Sequence, residues 1–239
     1  MLYIIGLGLG DERDISVRAV EIARKCECYV ELYTNKWFGS IEGLERVLGR
    51  PVKLLKRHDL EDRLDDFLKE CKNHDIALFV PGDPLAATTH SMIVLEARKK
   101  KIAVKIIHNA SIFSAVGETG LHLYKFGRTA TVPFSGKLQA VKEALAGNRK
   151  AGLHTLLLLD LDAEVKLYMT ASDAIKMLIK GKIIRQTDAL VVASQIGTDQ
   201  AEVRWGTAKE MLLKSLGTPA VLIVPGKLHF HEKEFLEGI

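Results

Sequence analysis

Asp83 stands in Pro81-Gly82-Asp83-Pro84, a run that cannot extend a β-ladder, because two members lack an N–H and Gly82 invites an unusual φ. A carboxylate held in such a turn could accept hydrogen bonds from a ligand's polar groups or take a proton from a substrate. Its placement favours the first role. A second polar turn, His108-Asn109-Ala110-Ser111-Ile112, follows another short apolar run. A third is Gly6-Leu7-Gly8-Leu9-Gly10, and glycines after a first strand suggest a nucleotide fold. Its third glycine falls one residue early for G-x-G-x-x-G, although Glu31 stands about where that fingerprint carries its ribose-binding acid. Ordinary Rossmann-type methyltransferases want an acid just before the first glycine, where this chain has Ile4-Ile5. His90 and His108 flank the two later turns, but a histidine beside a helix start is more often structural than basic, so no general base is assigned. Cys26, Cys28 and Cys71 lack the spacing of a metal site and read as buried free thiols.

These residues need elements to hold them, and the apolar pattern supplies an alternating order. Strands are expected at 2–5, 29–33, 52–55, 76–80 and 104–107. Between them come helices at about 16–25, 41–48, 60–72 and 92–101, the first capped by Asp14 or Ser16 and the last opening near Thr88 or Thr89. Leu60, Leu64, Phe67, Leu68 and Cys71 share one helical face. Crossover helices require parallel strands, so the Gly82-Asp83 and Asn109-Ser111 turns open on the same sheet edge, where ligands of open α/β sheets sit. The texture changes near residue 127, and strands at 128–133, 154–159, 188–194, 201–205 and 219–224, with a helix near 207–214, predict hairpins and a mixed sheet. Two α/β domains, 1–120 and 121–239, follow.

With 239 residues, 47% of them hydrophobic, the chain can bury one large core or two smaller ones. No apolar run approaches the roughly 20 residues of a membrane span, and no charged region precedes Leu2-Tyr3-Ile4-Ile5, so a soluble cytoplasmic protein without membrane attachment is expected. The net charge of +4 is mild, and the one basic run, Arg98-Lys99-Lys100-Lys101, reads as a solvated helix end, not a nucleic-acid patch.

Several motifs together carry a resemblance. They are Gly6-Leu7-Gly8-Leu9 with Asp11-Glu12-Arg13-Asp14-Ile15, then Pro81-Gly82-Asp83-Pro84-Leu85 with Ala87-Thr88-Thr89-His90, and then Ser111-Ile112. Gly120-Leu121-His122, Tyr124-Lys125-Phe126-Gly127 and Ile223-Val224-Pro225-Gly226-Lys227-Leu228-His229 complete the set. In this order they resemble the diphthine synthase family, within the tetrapyrrole-methylase-like class of S-adenosylmethionine methyltransferases. The resemblance implies two α/β domains with the cofactor in the cleft between them, and a homodimer. It implies successive methylation of the amine of the 3-amino-3-carboxypropyl-histidine of elongation factor 2, with S-adenosylhomocysteine as product. Carried over by position, the cofactor contacts fall on Leu9, Asp83, Ala86, Ser111, Ile112, Leu159, Ile196 and Ala220, with no metal. The stretch Val132-Pro133-Phe134-Ser135-Gly136-Lys137 departs from the family by being shorter and poorer in aromatics.

Transfer from a sulfonium donor is an in-line displacement, so catalysis is mostly positioning, and an amine acceptor must be neutral for each attack. Two other readings fit the same turns: a methylase of this fold acting on a corrin precursor, and a non-catalytic nucleotide-binding protein. Tyr124-Lys125-Phe126-Gly127 speaks against the first, and intact Gly8, Asp83 and Ser111 against the second.

Overall fold

The computed structural model describes residues 1–239, which divide into two compact units. The first comprises Met1–Phe113 with Ala163–Val165, the second Ser114–Asp162 with Lys166–Ile239.

The first unit runs β1 (Leu2–Gly6), α1 (Val17–Ala23), β2 (Glu27–Glu31), α2 (Ile41–Leu48), β3 (Val52–Leu55), α3 (Arg57–Leu60), α4 (Leu64–Asn73), β4 (Ile76–Val80), α5 (Ser91–Lys99) and β5 (Val104–Ile107). Its sheet has the order β3-β2-β4-β1-β5, and every pair is parallel. Alternate residues of the central strands feed two apolar layers, as a sheet covered on both faces requires. Leu2, Ile4, Ile76, Leu78 and Val80 meet α4 and α5 through Phe67, Leu68, Ile93 and Ala97. Ile5, Ala77 and Phe79 meet α1 and α2 through Ala19, Ala23, Leu44 and Leu48. The chain leaves β1 toward β2 and leaves β4 toward β5, so the topological switch point lies at the carboxyl ends of β1 and β4.

Local departures from the expected boundaries have identifiable causes. Ser16 caps α1 through the Ala19 N–H, while Asp14 is diverted to the Gly10 N–H at 2.7 Å. β2 ends two residues earlier than expected because the Glu31 carboxylate takes the N–H groups of Tyr33 and Thr34 out of the ladder. The helix expected at 60–72 is broken into α3 and α4: Asp59 accepts the Lys56 N–H and starts a short helix early, and Leu60, Phe67, Leu68 and Cys71 are still buried. Thr88 does not cap α5 but closes the preceding turn, donating to the Pro84 carbonyl at 2.7 Å. The basic run does end a helix, with Lys100 beside Asp65 at 3.1 Å. All three cysteines are free and buried, and burial pushes the Cys28 thiol up to about 11 and Cys71 to about 12.

After α6 (Ile112–Ala115), the second unit contains β6 (Ala130–Val132), α7 (Gln139–Ala151), β7 (Thr155–Leu159), β8 (Leu161–Asp162), β9 (Leu167–Tyr168) and α8 (Ala171–Lys180). It continues with β10 (Ala189–Ser194), β11 (Glu202–Thr207), α9 (Ala208–Met211), β12 (Ala220–Val224) and α10 (Phe230–Glu237). Its main sheet, β11-β10-β12-β7-β6, is mixed as expected: β10 pairs antiparallel with β11 and β12, β12 antiparallel with β7, and β6 parallel with β7. Leu157, Leu190, Val192, Leu222 and Val224 pack against Val141 and Leu145 of α7 and Ile175 and Leu178 of α8. Helices α7, α8 and α10 stand where the periodicity reading assigned nothing.

Candidate functional site

The carboxyl edge of the first sheet is built from turns tied to one another. Gly8 and Gly82 exchange backbone hydrogen bonds of 2.8 and 3.2 Å, joining the turn after β1 to the turn after β4. The pairing needs both glycines left-handed, at φ 81° and 70°. A Cβ on Gly8 would lie 2.6 Å from the Asp14 Cβ, and one on Gly6 2.4 Å from the Gly82 carbonyl oxygen. These glycines therefore serve the docking of one turn on the other, which explains their failure to match a dinucleotide fingerprint.

Asp83 links the turn after β4 to the turn after β5. Its Oδ1 accepts the Leu85 N–H at 3.0 Å; its Oδ2 accepts the Asn109 N–H at 3.2 Å and lies 2.7 Å from His108 Nδ1. The Asn109 amide donates to the carbonyls of Gly6 and Asp14, both at 3.0 Å, closing the ring back to the turn after β1. Leu9 and Ala86 are half-buried on this edge, Ser111 is buried in the turn after β5, and Ile112 opens α6. Gly82 leaves room at its Cα: a Cβ there would meet only the Ala110 carbonyl oxygen, at an ordinary contact distance of 3.8 Å. The parallel order thus brings five of the eight expected contacts to one edge. The other three gather on one edge of the second sheet: Leu159 ends β7, Ala220 opens β12 and pairs with Ser194, and Ile196 lies just past β10.

Glu31, at the end of β2, is fully buried and cannot serve a ribose. Its carboxylate accepts the N–H groups of Tyr33 and Thr34 at 3.0 and 3.1 Å and the Thr34 hydroxyl at 2.5 Å, and faces His90 Nε2 at 3.4 Å. Burial, partly offset by those donors and by Arg57, pushes the carboxyl up to about 7. Burial also drives the fully buried His90 down to about 4, opposed by the Pro84 carbonyl.

In the second unit the motifs at 120–127 and 223–229 meet around Glu232, which the sequence reading did not single out. Glu232 is fully buried and accepts from the His122 N–H at 2.9 Å, the His229 N–H at 2.6 Å, His154 Nε2 at 2.9 Å and the Lys125 ammonium. His154 Nδ1 in turn accepts the Gly226 N–H at 2.9 Å, which places its ring proton on Nε2. Burial raises the Glu232 pKa, but the donors from His229, Lys125, His122 and His154 outweigh it and hold the carboxyl at about 2. Partners 78 and 110 residues away leave no local pattern, so the only sequence signal was the shared motif set.

The sequence profile of tetrapyrrole (corrin/porphyrin) methylases matches residues 1–212. A diphthine synthase of Methanococcus maripaludis (strain C5) is 38% identical over 250 residues, spanning 99% of this chain and 98% of its own. A diphthine methyl ester synthase of Schizosaccharomyces pombe is 38% identical over 265 residues, spanning 100% of this chain and 94% of its own. A solved diphthine synthase structure superposes with a TM-score of 0.93 at 39% identity, covering 100% of this chain and 95% of that one. Alternating α/β order, the Gly-Asp-Pro turn and end-to-end likeness agree: the chain belongs to the tetrapyrrole methylase family, and within it to the diphthine synthases.

Proposed function

We propose that the protein transfers methyl groups from S-adenosylmethionine to the amine of the 3-amino-3-carboxypropyl group on a modified histidine of elongation factor 2, giving diphthine. The observation that carries this reading is likeness to diphthine synthases over the whole chain. When bound, the donor supplies an electrophilic methyl on a sulfonium and leaves as S-adenosylhomocysteine. Leu9, Asp83, Ala86, Ser111 and Ile112 of the first unit and Leu159, Ile196 and Ala220 of the second are proposed to hold it. The first edge suits such a ligand: Gly82 is uncrowded at its Cα, and a carboxylate with one unused lone-pair position stands beside it.

The chain's task in an in-line displacement is alignment. Asp83 already accepts from two backbone N–H groups and faces the His108 ring, which suits a fixed acceptor and electrostatic partner better than a proton carrier. The acceptor amine loses its proton before each attack, by desolvation or to water. A symmetric homodimer is the assembly proposed, the commonest closed form.

The name of the fission-yeast relative favours one further reading, esterification of the acceptor's own carboxylate. Elongation factor 2 with and without the aminocarboxypropyl modification, incubated with labelled donor, separates the two. Label that appears only on the modified protein and resists mild alkali is expected. Alkali-labile label assigns the ester, and labelling of a corrin precursor alone would remove both.

A further inference from the structure

We propose that Glu31 and His90 form a buried polar latch that positions the turn from Pro81 to His90, so that donor affinity depends on the contact between them. The inference rests on the reading that this turn holds the donor. The turn is fixed at its near end, where Gly82 bonds Gly8 and Asp83 bonds the turn after β5. Beyond that, its hydrogen bonds close locally: Leu85 N–H to Asp83, Ala86 N–H to the Asp83 carbonyl, the Thr88 hydroxyl to the Pro84 carbonyl, and the Thr89 carbonyl to α5. Leu85, Ala87 and Thr89 are exposed, and Ala87 is left-handed at φ 57°. At the far end, where α5 begins, the polar tie is His90, whose ring is wholly buried with Nε2 3.4 Å from Glu31 Oε1.

Glu31 is an immobile counterpart. Three hydrogen bonds from Tyr33 and Thr34 clamp it where β2 ends, so the contact joins the turn after β2 to the turn after β4. Apolar side chains of similar volume would fill the same space without removing two ionisable groups from water. Neither ring nitrogen of His90 makes a well-formed hydrogen bond, and the ionisable group within 4 Å of the ring is Glu31, at 3.4 Å. Burial pushes the Glu31 carboxyl up and the His90 imidazole down, so it disfavours charge on both, which suits a dry contact.

Neither residue is among the proposed donor contacts, so the role assigned to the pair is positioning. The test compares His90→Phe, which fills the ring's volume without polar atoms, with His90→Gln, which keeps a donor for Glu31. Titration calorimetry with S-adenosylmethionine and turnover with modified elongation factor 2 at saturating donor are the readouts. The expected result is donor Kd raised tenfold or more in His90→Phe, Kd within threefold of the parent in His90→Gln, and kcat within threefold in both. A packing role gives the opposite order and overturns the latch, as does unchanged affinity in both. Should His90→Phe fail to fold, Glu31→Gln carries the same expectation of weakened binding from the other side, and unchanged affinity there overturns the proposal. Failure of the parent protein to bind the donor would instead remove the functional reading beneath it.

Discussion

Asp83 spends three hydrogen-bonding positions inside the protein, so replacing it disturbs the junction of two turns as well as any contact with a ligand. Asp83→Ala is expected to weaken S-adenosylmethionine binding by about 1–3 kcal/mol, with Asp83→Asn between it and the parent, as calorimetry would read. Equal affinity in all three would move the donor away from this edge. Glu232 gives a second prediction, on stability. Its folded pKa of about 2 lies below the ordinary 4.5, so its contribution is fully present above pH 4.5 and is lost as pH falls toward 2. That contribution is on the order of 3 kcal/mol. Urea unfolding of Glu232→Gln should therefore show a lower midpoint at neutral pH and a flatter decline between pH 5 and 3 than the parent. Parallel profiles would mean that the Glu232 cluster does not drive the acid limb.

At the scale of elements, the turn after β1 is held by backbone geometry. Gly8→Ala puts a Cβ at φ 81° and 2.6 Å from Asp14, and should cost roughly 2–4 kcal/mol in urea unfolding together with loss of donor affinity. Gly49→Ala is the control: φ is 67° but nothing lies within 4 Å, so about 1 kcal/mol and intact binding are expected. The parallel sheet and the turn at its carboxyl edge were legible because Ile76–Val80 is apolar throughout and is followed at once by breakers. The carboxyl edge itself followed from crossover topology, without any motif. What local pattern could not show was competition for backbone donors. Glu31 ends β2 early and Asp14 caps the Gly10 turn instead of α1, because each carboxylate takes a nearby backbone N–H that hydrophobic periodicity assigns to a strand or leaves free. Likewise α10 reads as polar until Glu232 turns inward against His154, far away in sequence.

For the whole molecule, the division into two units with separate cores lets the first sheet present its carboxyl edge while the second builds an independent mixed sheet. Light scattering at micromolar concentration should give twice the 26.5 kDa chain mass, and the monomer mass would refute the proposed dimer. An acceptor whose product remains an acceptor demands a site that tolerates a growing ammonium, so intermediates with fewer methyl groups should appear and then decline. The most direct test is a mass-spectrometric time course of the elongation factor 2 peptide carrying 3-amino-3-carboxypropyl-histidine, with the protein and S-adenosylmethionine. Stepwise gain of methyl mass, mapped by fragmentation to the amine nitrogen and ending at the trimethylated form, is the predicted result. A peptide that gains no methyl while the donor is demonstrably bound would contradict the account.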